Sequence, residues 1–135
     1  VIVTKSSDNS IKSFEDLKGR KSAQSATSNW GKDAKAAGAQ ILVVDGLAQS
    51  LELIKQGRAE ATINDKLAVL DYFKKHPNSG LKIAYDRGDK TPTAFAFLQG
   101  EDALITKFNQ VLEALRQDGT LKQISIEWFG YDITQ

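Results

Sequence analysis

The sequence predicts an α/β protein of three layers, with helices on both faces of a mainly parallel sheet. Short runs of β-branched or small residues alternate with apolar stripes at helical spacing, joined by short links. That order is typical of βαβ units. Residues 41–44 are an uninterrupted apolar run, the pattern of a strand covered on both faces. Glycines such as Gly38 and Gly57 follow the helical stripes, and glycine permits the left-handed backbone that ends many helices.

The elements follow from these signals in chain order. Strands are predicted at residues 1–3, 21–26, 41–44, 61–63, 81–85 and 94–98. Helices are predicted at 13–18, 30–37, 47–56, 66–76, 104–115 and 120–129. Ser13 is expected to cap the first helix and Asp16 to bond back toward it. The fourth helix should end at His76, because Pro77 disfavours helical geometry in the residue before it.

The composition excludes several classes of function. The 135 residues suit one compact domain, and a net charge of +1 does not indicate nucleic acid or a membrane surface as a partner. No run is long and apolar enough to span a bilayer. The absence of cysteine and the single histidine predict no disulfide, thiolate chemistry or histidine metal cluster. We expect neither a metal nor a cofactor. The chain starts with Val1 rather than Met, which is expected of a processed or trimmed product.

The first candidate site is the corner Thr27-Ser28-Asn29, where a predicted strand leads into a helix. The first turn of a helix has unpaired N–H groups and a partial positive charge, so it can hold a carboxylate or phosphate. The alternative is that Ser28 is only a helix cap, and by itself this alternative is favoured. Trp30, the next residue, either stacks on a ligand or packs on the sheet, and packing is the more common role.

The second candidate site is Asp65, which follows the strand at 61–63. An ionised carboxylate accepts hydrogen bonds and suits an ammonium group, although Asp65 also stands where a helix cap is expected. Both corners should lie at the carboxyl edge of a parallel sheet, where ligands of open α/β folds bind. Donors at one corner and a carboxylate at the other complement the zwitterion of an α-amino acid. We found no catalytic triad, carboxylate pair or metal site in the sequence.

Four motifs together resemble a known family across the whole chain. They are residues 13–19 (SFEDLKG), the corner at 27–29, residues 57–65 (GRAEATIND), and residues 118–130, from DGTL to EWFG. In combination they resemble the extracellular solute-binding proteins, family 3, of polar amino acid ABC transporters, which have the type II periplasmic-binding-protein fold. The sequences of residues 24–30 and 44–50 are most similar to those of the branch that binds cystine or related sulfur amino acids.

The resemblance implies a role for each candidate residue. Ser28 and Asn29 match positions that hold the ligand's α-carboxylate, and Asp65 matches the acidic residue that holds the α-amino group. Thr27 and Trp30 complete the predicted ligand-binding set. Thr27 departs from the family pattern, because many relatives carry glycine there, so the path of this loop can differ.

The resemblance also implies that the chain is one lobe and part of another. Residues 1–5 and 94–98 match the two hinge strands, 6–93 the second ligand-binding lobe, and 99–135 C-terminal helices that belong to the first lobe. Most of the first lobe is expected to be missing. The apolar helices would then lack their partner, and we expect the isolated chain to form a domain-swapped homodimer.

The implied function is capture of an amino acid, cystine or another polar or sulfur amino acid, for an ABC transporter permease. This would be binding without catalysis, in the periplasm or at the cell surface on a lipid anchor. Two alternatives stay open at this stage. One is a sensory module of the same fold. The other is an enzyme that resembles cyclohexadienyl dehydratase, for which Asp65 is the plausible acid or base in this half.

Overall fold

The computed structural model describes residues 1–89 and 94–134, which fall into two units, Val1–Gly88 and Asp89–Gln135. The first unit contains β1 (Ile2–Lys5), β2 (Lys21–Ser25), α1 (Asn29–Ala36), β3 (Gln40–Val44), α2 (Leu47–Lys55), β4 (Thr62–Ile63), α3 (Lys66–Lys75) and β5 (Leu81–Tyr85), with a single 3₁₀ turn at Glu15–Leu17. The second contains α4 (Asp102–Gln117) and α5 (Thr120–Phe129).

The first unit has a three-stranded sheet in the order β4-β1-β5 and a two-stranded sheet of β2 and β3. An isolated bridge joins the two at β2, which gives the overall order β3-β2-β4-β1-β5. Strands β2 and β3 are parallel, and a parallel bridge between Ser22 and Ala61 joins β2 to the segment that leads into β4. Strand β1 lies between β4 and β5 and is antiparallel to both. Four strands therefore run in one direction and β1 runs against them. The predicted α/β class is confirmed, but the sheet is mixed: both pairings of β1 are antiparallel, and the parallel pairings are those of β2 with β3 and with Ala61.

Helices cover both faces of this sheet, as the sequence predicts. On one face α2 and α3 enclose a core that includes Val3, Leu51, Ile54 and Val69. On the other face α1 and the 3₁₀ turn pack over a second core. Its fully or almost fully buried members are Ile2, Ile11, Leu17, Ala34, Ala61 and Ile63. Burying such side chains stabilises a protein by roughly 1.5–3 kcal/mol each, which makes the two cores the main source of stability in this unit.

Side chains complete the junction between β2 and β4, where the backbone ladder is short. Thr62 Oγ1 donates to Ala23 O at 2.7 Å, and both groups are buried. The amide of Gln24 satisfies both its donor and its acceptor when it accepts from Ile63 N–H at 2.6 Å and donates to Ile63 O at 3.1 Å. These bonds hold the ends of the two strands side by side.

The second unit keeps many apolar side chains on its surface. None of the residues of α4 is buried. In α5, the buried Ser125 donates through its hydroxyl to Tyr131 O at 2.7 Å and accepts from Ile133 N–H at 2.8 Å. Large apolar side chains between 46% and 63% exposed are Leu104, Val111, Ile124, Ile126 and Trp128. No helix within the described ranges is long and apolar enough to cross a membrane.

Two local predictions are wrong. Residues 94–98 do not form a strand: Phe95 and Phe97 alternate as in a strand, but both rings pack edge-on against Phe108, with centroids 4.9 and 5.3 Å away. The helix at 13–18 is only a 3₁₀ turn that Ser13 does not cap, although Asp16 does bond back, to Lys12 N–H at 2.9 Å. Residues 90–93, which close the predicted lobe, and residue 135 lie outside the described residues.

Candidate functional site

The two predicted corners follow strands that are parallel neighbours. Strand β2 ends at Ser25 and β4 ends at Ile63, and the bridge between Ser22 and Ala61 sets the two side by side. The turn at Thr27 and the turn at Asp65 therefore emerge from the same edge of the sheet. This is the carboxyl edge, where open α/β sheets bind their ligands.

The first corner is the N-terminus of α1. Ser28 is its cap residue, and its hydroxyl accepts from Gly31 N–H at 3.3 Å. Asn29 is the first helical residue and is exposed. A Cβ at Gly31 would lie 3.3 Å from Ser25 O and 3.4 Å from Gln24 Cβ, so glycine lets the helix start close to the end of β2. The arrangement presents the positive end of the helix, a hydroxyl and an amide at the sheet edge.

The second corner is the N-terminus of α3, and Asp65 caps it. Asp65 Oδ1 accepts from Leu67 N–H at 2.8 Å and from Ala68 N–H at 3.3 Å, while the residue stays exposed. Asn64 Oδ1 accepts from Asp65 N–H at 2.9 Å, and the backbone N–H of Asn64 donates to Val1 O at 3.0 Å. Both capping bonds use Oδ1, so Asp65 can cap the helix and still offer Oδ2 to a ligand ammonium.

The other predicted residues have different surroundings. Thr27 is exposed in the turn before the cap. Trp30 is partly buried and packs against the core on the α1 face, which is the packing alternative considered from the sequence. The structure therefore brings Ser28, Asn29 and Asp65 to one edge and gives Trp30 a role in the core.

Sequence reasoning missed two charged residues at this edge, Asp86 and Arg87, which follow β5. Asp86 forms an ion pair with Lys66 at 2.7 Å and accepts from Gly88 N–H at 2.9 Å. The Lys66 ammonium, more than any other neighbour, holds the pKa of the Asp86 carboxyl below its ordinary value. Their position directly after a predicted strand could have identified them, because the same rule placed the first two corners at strand ends.

The edge is open rather than enclosed. A groove of about 620 Å³ lies along α1 and the 3₁₀ turn, and its lining includes Phe14, Asp33, Ala37, Tyr85 and Arg87 but none of the five predicted ligand-binding residues. Among the residues that the structure describes, no group of three or more His, Asp or Glu side chains is placed to hold a metal ion. The chemistry available at the corners is hydrogen bonding and charge complementarity.

Comparison with known proteins connects this geometry to a family. The family model described as bacterial extracellular solute-binding proteins, family 3, matches residues 1–131. Over all its residues, the chain is 99% identical to a protein of Haemophilus influenzae named probable amino-acid ABC transporter-binding protein, and it spans 52% of that protein. It is 47% identical to the L-cystine-binding protein TcyA of Bacillus subtilis and spans 50% of it.

A solved structure is similar over the whole chain. The L-cystine solute receptor of Neisseria gonorrhoeae, in an unliganded open conformation, matches with a TM-score of 0.76 and 49% identity, covering 100% of this chain and 57% of that one. The chain thus spans about half the length of the curated relatives it matches.

Proposed function

Because the chain belongs to family 3 of the bacterial extracellular solute-binding proteins, we propose that it forms half of a protein that captures an amino acid outside the cytoplasm. The captured ligand is delivered to the permease of an ABC transporter. The ligand is L-cystine or a related polar or sulfur amino acid. Support for cystine comes from the two relatives named for it, which are 47% and 49% identical to this chain.

The observation that carries the proposal is the pairing of the two corners on neighbouring parallel strands. The start of α1, with Ser28 and Asn29, supplies donors and a positive dipole end for the α-carboxylate. Asp65 supplies the carboxylate for the α-ammonium through its second oxygen. An α-amino acid places these two charges on one carbon, and adjacent corners suit that short separation.

In this proposal the chain supplies one side of a clamp. Residues 6–93 are the second lobe, 1–5 and 94–98 are the connections, and 99–135 belong with the lobe that holds the other side of the ligand. Binding is the whole activity, and no bond of the ligand is broken. The protein works outside the cytoplasm, as a free periplasmic protein or on a lipid anchor.

Isothermal titration calorimetry on the full-length protein tests the proposal. L-cystine is titrated first, followed by L-cysteine, L-glutamine, L-arginine and, as a control without the α-ammonium, N-acetyl-L-cysteine. We expect saturable 1:1 binding of an L-amino acid and no binding of the acetylated analogue. Absence of binding to every amino acid in a folded sample would refute the proposal. Equal affinity for the acetylated analogue would refute the role of Asp65.

A further inference from the structure

The two residues that follow β5 connect to both candidate corners. Lys66 Nζ lies 2.7 Å from Asp86 Oδ2, and Arg87 Nη2 lies 2.8 Å from Asp33 Oδ2. Lys66 is the first residue of α3 and directly follows Asp65. Two adjacent residues at the end of one strand thus bind the helix of each corner.

The contact to α1 reaches the side of the helix that carries Asn29. Asp33 is four residues after Asn29, and residues at this spacing lie on the same face of a helix. Arg87 also lies over the ring of Phe14, with its guanidinium carbon 4.4 Å from the ring centroid. Phe14 in turn packs edge-on against Tyr85 at 5.8 Å. The guanidinium is therefore held by an aromatic face as well as by the carboxylate, a geometry that suits arginine more than lysine.

The contact to α3 is similarly fixed. Asp86 uses Oδ2 for Lys66 and Oδ1 for Gly88 N–H at 2.9 Å, which sets the direction of the carboxylate. The four charged side chains of the two pairs are between 37% and 43% exposed. Ion pairs this exposed contribute little to global stability. Their positions, at the first residue of α3 and one turn into α1, on the two helices that present the ligand groups, indicate another use.

We propose that Asp86 and Arg87 are positioning residues that hold the corner at Ser28 and Asn29 and the corner at Asp65 at the separation that the ligand requires. This rests on the proposed function. A ligand that spans both corners binds more weakly when either helix start can shift, because the bound geometry must then be organised at the cost of binding free energy. In this proposal Asp86 and Arg87 act through the two helices and do not contact the ligand.

Substitution in the full-length protein tests this. Asp86→Asn, Lys66→Gln, Arg87→Gln and Asp33→Asn are each expected to weaken L-cystine affinity, measured by calorimetry, about three- to tenfold. The double variant of a pair should lose less than the sum of its two single variants. Exchange of the charges, Lys66→Asp with Asp86→Lys, should restore affinity toward that of the wild type, a result that a general loss of folding would not produce.

Two helical ion pairs away from the corners provide matched controls. Lys75→Gln removes an ion pair of the same 2.7 Å length from the other end of α3, and Arg116→Gln removes a 2.8 Å pair from α4. Both should keep wild-type affinity. Unchanged affinity in the four test variants, or equal losses in the controls, would overturn the positioning role while leaving the proposed function intact. If the folded wild type binds no amino acid, the proposed function fails and the positioning role fails with it.

Discussion

Substitution of Asp65 by asparagine separates the two roles that its carboxylate can have. In the structure Oδ1 caps α3 through Leu67 N–H and Ala68 N–H, and an asparagine oxygen can accept the same bonds. Asparagine is as good a cap as aspartate, so the free energy of unfolding should change by less than about 0.5 kcal/mol. The charge that would meet a ligand ammonium is lost.

The expected loss of affinity follows from that charge. A hydrogen bond to a charged group contributes roughly 1.5–3 kcal/mol, so binding should weaken about 10- to 150-fold. Asp65→Ala removes the cap as well and should lower the free energy of unfolding by about 1 kcal/mol more. Calorimetry with L-cystine and urea denaturation of the full-length variants measure the two quantities separately.

A matched control exists in the second unit. Asp118 accepts from Thr120 N–H at 2.8 Å, the same type of bond and the same length as that from Leu67 to Asp65. Asp118→Asn should leave both affinity and stability unchanged. If Asp65→Asn binds L-cystine as tightly as the wild type, Asp65 is a helix cap only, and the assignment of the ammonium site is refuted.

Three further outcomes are expected. Ser28→Ala should lower the free energy of unfolding by about 0.5–1 kcal/mol and cost less affinity than loss of the Asp65 charge, because the N–H groups of α1 remain; equal losses in calorimetry would contradict this. Bonds from Lys21 N–H and Arg20 lower the pKa of Glu60, so its stabilisation is present near neutral pH and is lost as the pH falls through the lowered value. The melting temperature of Glu60→Gln should accordingly depend less on pH than that of the wild type in the acid range below the ordinary glutamate value of 4.5. Parallel plots of melting temperature against pH for the two proteins would exclude this. The 135-residue chain by itself should bind amino acids poorly and associate, by exchange of residues 99–135, since its second unit exposes large apolar side chains; a concentration-independent monomer mass in light scattering would exclude association.

Local signals in the sequence predicted most of the fold. The family and the three-layer fold class are confirmed, and so is the end of α2, where Gly57 has φ of 75°. Apolar stripes and glycines identify such elements because their causes lie within a few residues. Both corners were found in the same way, from polar residues at strand ends. The roles of Ser28, Asn29 and Asp65 in ligand binding stay predictions.

The features that the sequence did not predict depend on residues far apart in the chain. Nothing near β1 indicates that it runs against its neighbours, because its direction is decided by pairing with Ile63 and Tyr85. Asp86 and Arg87 lie between the predicted strands at 81–85 and 94–98, where the sequence pattern predicts neither a helix nor a strand. Arg87 binds Asp33 from 54 positions away, a separation at which the sequence pattern carries no signal.

The central position of β1 determines when the first unit can fold. Ile2 pairs with Ile63, and Thr4 pairs with Lys82, so β1 completes its pairing only with β5, the last strand of this unit. Contacts of such long sequence separation form slowly, because a long loop must close before they stabilise anything. The pairing of β2 with β3 spans about twenty residues and that of β1 with β5 about eighty, so the second is the slower to form. Lys66, next to Asp65, therefore gains its partner Asp86 only after β5 has been made.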